Sequence, residues 1–131
     1  IQSVKETAAS SRFSTEVIVA ASNMAELMAS ADLAVGAAGS TSWERCCLGL
    51  PSIMVVIAEN QLTLAKNIES AGVTMVLDIN SKVELATALL EAINQLIRND
   101  CPSLMRRMSY DASKIVDGRG VKRVIKRFAT I

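Results

Sequence analysis

The sequence contains no histidine and only two prolines, and aromatic residues make up 3% of its 131 residues. Histidine is the side chain that titrates near neutral pH and a frequent metal ligand. Without it, zinc would depend on Cys46, Cys47 and Cys101, two of which are adjacent. No metal site and no cofactor is therefore expected. An odd cysteine count also argues against a disulfide scaffold and for a reduced, cytoplasmic protein. Apolar runs such as "PSIMVVIA" fall well short of the roughly 20 residues needed to span a bilayer. The net charge is +1, so the overall balance implies neither a nucleic-acid partner nor a membrane surface.

What is present is aliphatic. Half of the chain is hydrophobic and 21% is charged, a balance that excludes disorder. The core must be built from Ala, Val, Ile, Leu and Met. The length suits one domain, residues 1–131. "IQSVKETAASS" opens the chain as if inside a helix, which leads us to expect a piece of a longer protein, a truncated carboxyl-terminal domain.

Short β-branched runs alternate with helical periodicity. "TEVIVA" (15–20), "LAVGAAG" (33–39), "PSIMVVI" (51–57) and "VTMVLD" (73–78) read as four strands. Helices are predicted at 1–11, 22–32, 40–49, 60–72, 81–100, 102–116 and 120–130. Met24, Leu27 and Met28 are expected to be core. Ala86, Leu89, Leu90, Ile93 and Ile97 are expected to form the stripe of the long helix. Lys122, Arg123, Lys126 and Arg127 read as a solvated face. The alternation defines an α/β fold, a partial Rossmann-like parallel sheet flanked by helices.

Ligands of open parallel sheets lie beyond the carboxyl ends of the strands. There the sequence places "VGAAGSTSWERCCLGLP", residues 35–51. Gly36 and Gly39 would let the backbone bend and approach a ligand. The amides and hydroxyls of Ser40, Thr41 and Ser42 would suit an anion. Equally, "TSWE" fits a capping box with Thr41 as cap and Glu44 reaching back. It is neither a Walker loop nor a dinucleotide fingerprint. Asn60 and Gln61 follow the next strand and read as a cap or as polar ligand contacts. Cys46 and Cys47 read as packed, inert thiols.

Over about residues 1–128, and most densely from Met24 to Gln61, the sequence resembles the carboxyl-terminal half of UDP-sugar hydrolases of pseudaminic acid synthesis and the related spore-coat polysaccharide proteins. More distantly it resembles the lipid II N-acetylglucosaminyltransferase and other two-domain GT-B transferases. "GSTSWE", "ENQ" and the tail "DGRGVKRV" carry the likeness. The resemblance implies that Glu44 binds the ribose of UDP and that Gly39, Ser40, Thr41 and Ser42 hold its diphosphate. It places uracil near Ala20, Ala21 and Met24, with Asn60 and Gln61 near the diphosphate or sugar. The implied partners are UDP or a UDP-sugar and an amino-terminal domain that carries a catalytic histidine. This chain supplies no catalytic residue.

The implied reaction is attack of water on a UDP-diacetamido-trideoxy-hexose, releasing UDP. A glycosyltransferase of the same fold and a non-catalytic interaction module are the alternatives. Two strands and a Gly-rich loop of that family, placed between "TEVIVA" and "LAVG" in the sheet, have no counterpart here. The sheet is expected to close up, to recruit another chain at its exposed edges, as a homo-oligomer would, or to order only in part.

Overall fold

The computed structural model describes residues 1–78, 82–98 and 102–129. Three strands are present, β1 (Ala34–Ala37), β2 (Ser52–Val56) and β3 (Thr74–Asp78), all parallel and in the order β1-β2-β3. Ala34 lies opposite Ser52 and Ala37 opposite Val55; Ser52 lies opposite Thr74 and Val56 opposite Asp78. The helices are α1 (Gln2–Ala9), α2 (Met24–Ala29), α3 (Thr41–Cys47), α4 (Leu62–Ser70), α5 (Lys82–Arg98), α6 (Pro102–Ile115) and α7 (Gly120–Phe128). A 3₁₀ turn, Glu59–Gln61, leads into α4. The architecture is the expected partial Rossmann-like sheet with flanking helices.

Strand periodicity divides the core in two. Successive side chains point to opposite faces. Met54 and Val56 of β2 therefore join Cys46 of α3, Ala65 and Ile68 of α4 and Ala112 of α6. Ile53, between them in sequence, joins Ala92 and Leu96 of α5 and Met108 of α6 on the other face. β2 is the middle strand and α6 contributes to both clusters, so these two elements hold the fold together.

Helix ends follow local chemistry. Leu48 closes α3, and Gly49 follows at φ +63, where its amide bonds the Cys46 carbonyl. Leu50 N–H returns to the Arg45 carbonyl, and Pro51 precludes further helix. A Cβ on Gly49 would stand 3.1 Å from the Ser109 carbonyl of α6, so this glycine serves both the turn and the packing.

One buried polar pair joins β2 to β3. Thr74 Oγ1 donates to the Ser52 carbonyl at 2.8 Å, and its lone pair faces Ser52 Oγ at 3.1 Å. Thr74→Val keeps the shape and leaves both Ser52 groups short of a partner. It is expected to cost about 1–3 kcal/mol, read from the urea midpoint at unchanged slope.

Three expectations are corrected. "TEVIVA" is not a strand: residues 14–18 run without regular structure, and none of 15–20 is buried. Strand formation needs a neighbour for its backbone groups, and the sheet order gives β1 only β2. The run instead lies beside α1, where Val4, Thr7, Ala8, Thr15, Val17 and Ile18 line an open depression.

The second correction is Met24, which is 47% exposed, with Leu27 and Met28 only half-buried. No residue before Leu33 enters either core cluster.

The third is the stripe of α5. Among the residues whose burial is described, Ala92 and Leu96 are buried, backed by Leu89 and Ile93, whereas Leu90 and Ile97 are exposed. The helix is rotated about its axis because Ile53, Met75 and Leu77 present the surface it must cover.

Cys101 lies outside the described residues. The tail cations are exposed as expected, with Arg123 paired to Asp117. That bond holds the Asp117 carboxyl below the usual range. Val121, Val124, Ile125 and Phe128 on the same helix are exposed too.

Candidate functional site

β1 and β2 run parallel, so the chain leaves both at one edge of the sheet. "AGSTSWE" follows β1 and "AENQ" follows β2, which brings Gly39–Glu44 and Asn60–Gln61 to neighbouring positions on that edge.

The capping box does not form. Ser40, not Thr41, precedes the helix, and it is already right-handed helical at φ −57, ψ −33. A side-chain cap needs an extended residue at that point, and no side-chain cap bond is made. Ser42 takes another role. Its Oγ accepts the Gly39 N–H at 3.3 Å and Arg45 Nη2 at 2.9 Å. Ser42 is 1% exposed, so its hydroxyl lies beneath the turn.

Arg45, 6% exposed, is the feature that residue patterns did not single out. Its Nη2 also donates to the Ala37 carbonyl at 3.2 Å. The guanidinium crosses Gly36, where a Cβ would stand 2.7 Å from Nη1. Gly36 therefore makes room for arginine rather than for a bend. The sequence carries no local signal for it: Arg45 follows a carboxylate and precedes two thiols, as an ordinary helical charge would. Burial lowers the Arg45 pKa, and Cys46 and Glu44 partly offset this. Burial likewise raises the Cys46 thiol, with Arg45 opposing. Cys46 is packed in the core, as expected.

Outward, the turn is open. A Cβ on Gly39 would meet nothing within 4 Å. No hydrogen bond engages the backbone N–H of Ser40 or Thr41 among the described residues. Thr41 and Glu44 are exposed, and the Glu44 carboxylate makes no hydrogen bond or ion pair among the described residues. Gln61 turns back, its Oε1 accepting the Ile57 N–H at 3.1 Å, which leaves its amide N–H groups available. Asn60 is exposed.

Ala20, Ala21 and Met24 precede β1. Ala20 adopts φ +53, which ends the extended run, and Ala21 is half-buried. No hydrogen bond joins this segment to the Ser40–Glu44 turn among the described residues. Among the described residues there is no cluster of His, Cys, Asp or Glu able to hold a metal, and no helix long and apolar enough to cross a membrane.

A parallel α/β sheet with a polar turn beyond the carboxyl ends of its strands is the arrangement in which open α/β domains bind ligands. The chain belongs to the glycosyltransferase family 28 C-terminal domain family, which it matches over residues 2–124. It is also similar to the spore coat polysaccharide biosynthesis protein SpsG of Bacillus subtilis (strain 168), at 28% identity over 109 residues. That match covers 83% of this chain and 31% of the relative, so the chain spans about a third of that relative's length.

Proposed function

We propose that this chain is the UDP-binding part of a nucleotide-sugar hydrolase in nonulosonic (pseudaminic) acid or surface-polysaccharide synthesis. The observation that carries the reading is Glu44. It stands exposed one turn beyond Ser40 and Thr41, and among the described residues neither its carboxylate nor their amides has a hydrogen-bond partner. A carboxylate there accepts hydrogen bonds from ribose hydroxyls, and free amides donate to phosphate oxygens. Ser42 supports the turn from below, while Asn60 and the Gln61 amide extend the polar rim toward the sugar. Ala21 and Met24 are assigned to the uracil.

The chain has no histidine. The base that activates water is therefore assigned to an amino-terminal domain of the complete protein, as the family resemblance implies. The free edge of β1 is assigned to the strands of that protein or to a second copy. The complete protein is placed in the cytoplasm, where nucleotide sugars are made.

A transferase is the second reading, favoured by the family match itself. The two share this site and differ in whether water or an acceptor hydroxyl attacks. Release of UDP without an acceptor supports the hydrolase; release that requires one supports the transferase.

Gly39→Ala separates site from scaffold. The methyl group has room and no positive φ opposes it, so stability is expected to hold or to rise by up to about 1 kcal/mol. UDP affinity of the complete polypeptide is expected to fall, because the methyl occupies the approach to the turn. Calorimetric titration checks it; unchanged affinity would remove Gly39 from the site.

A further inference from the structure

We infer that Arg45 is a positioning residue for the diphosphate: it locks the Gly39–Thr41 turn from beneath and supplies the buried positive charge that a bound diphosphate completes. The inference rests on the UDP reading and adds a residue that this reading does not use.

Arg45 is over nine-tenths buried, yet both acceptors of its guanidinium are neutral, the Ala37 carbonyl and Ser42 Oγ. Its Nε is buried without any partner. No carboxylate lies within ion-pair distance of the guanidinium among the described residues, and the exposed Glu44 offsets the cost of its burial only in part. A buried cation without an anion is costly unless something compensates it. A scaffold role alone would be served by an apolar side chain, which could fill the same space without that cost. The fold even omits a side chain at Gly36 to admit the guanidinium.

The connections show what the charge serves. Arg45 Nη2 bonds the end of β1 at Ala37 and the first turn of α3 at Ser42. Ser42 Oγ in turn holds the Gly39 N–H inward. The Gly39 amide is thereby engaged, and those of Ser40 and Thr41 remain as donors. Donors held in place above a buried cation form an anion seat, and the guanidinium, itself shielded from water, attracts the anion more strongly than an exposed cation would. A diphosphate bound on the turn places its negative charge over the guanidinium without touching it. Ribose and uracil, held through Glu44 and the 20–24 segment, do not depend on that charge.

The test compares UDP with uridine on the complete polypeptide by calorimetric titration, together with thermal melting. Arg45→Met fills the space without charge and is expected to weaken UDP binding by about tenfold or more while leaving uridine affinity unchanged. Arg45→Lys, which keeps the charge but lacks the planar fork, is expected to fall between. Equal losses for UDP and uridine, or no loss with a lowered melting temperature, would show a structural role only and overturn the inference. If Arg45→Met does not fold, Arg45→Lys and Ser42→Ala carry the same comparison, with the same selective loss of UDP expected. A wild-type protein that binds uridine and UDP equally removes the diphosphate seat. One that binds neither removes the UDP reading, and this inference falls with it.

Discussion

Glu44→Ala is expected to weaken UDP binding strongly and to leave the fold nearly untouched. A hydrogen bond to a charged group contributes about 1.5–3 kcal/mol, so losing the ribose contact lowers affinity roughly 10- to 100-fold. The side chain is exposed and makes no hydrogen bond or ion pair among the described residues. Exposed substitutions of this kind change stability by less than about 0.5 kcal/mol. Titration with UDP and a melting curve on the same sample give both numbers. A capping role predicts the reverse pattern, about 0.5–2 kcal/mol of lost stability and no change in affinity. Glu44→Gln refines the comparison, since an amide oxygen still accepts a bond but without the charge. It is expected to bind UDP between wild type and the alanine variant.

The largest expected loss of stability is at Ile53. It is fully buried on the middle strand, against Ala92, Leu96 and Met108. Ile53→Ala removes apolar contacts with α5 and α6 at once and leaves a cavity, at a cost of about 2–5 kcal/mol. Domains are typically stable by only about 5–15 kcal/mol, so this one change takes much of the margin. Urea denaturation of the wild type and variant measures it. Leu90→Ala, on the same α5 but 60% exposed, is the control and is expected to change the midpoint little. A large loss at Leu90 would mean that this face is covered in the complete protein.

The elements after residue 33 were legible because each carries its own punctuation. Gly49 and Pro51 end α3, Gly72 ends α4, and the apolar runs between them are too short for anything but strands. Three strands and their flanking helices appear where periodicity and breakers put them. Legibility failed where the outcome depended on a neighbour. "TEVIVA" has the composition of a strand, but composition cannot provide the adjacent backbone that a strand must bond. The buried stripe of α5 departs from its periodicity for the same reason. Leu89, Leu90, Ile93, Leu96 and Ile97 offer two overlapping apolar faces, and the sheet chose between them.

The candidate site divides in the same way. Residue types alone pointed to the Gly39–Glu44 turn, because glycines, hydroxyls and a carboxylate after a strand are a local signal. They left the cap and the ligand site unresolved. The backbone angle at Ser40 and the inward turn of Ser42 removed the cap. Arg45 was not visible at all as a site residue. Its significance lies in contacts with Gly36, Ala37 and Ser42 across a strand-to-helix turn, with no ion pair to the guanidinium among the described residues.

By itself the sequence determined the fold class, the order of the elements after residue 33 and the location of the polar turn. Those follow from hydrophobic period and from glycine and proline, which act over a few residues. Only the tertiary structure decided which apolar run becomes a strand, which face of α5 is buried, and that the turn rests on a buried arginine. Each of these depends on what another part of the chain places alongside, and burial and charge compensation exist only once those parts meet.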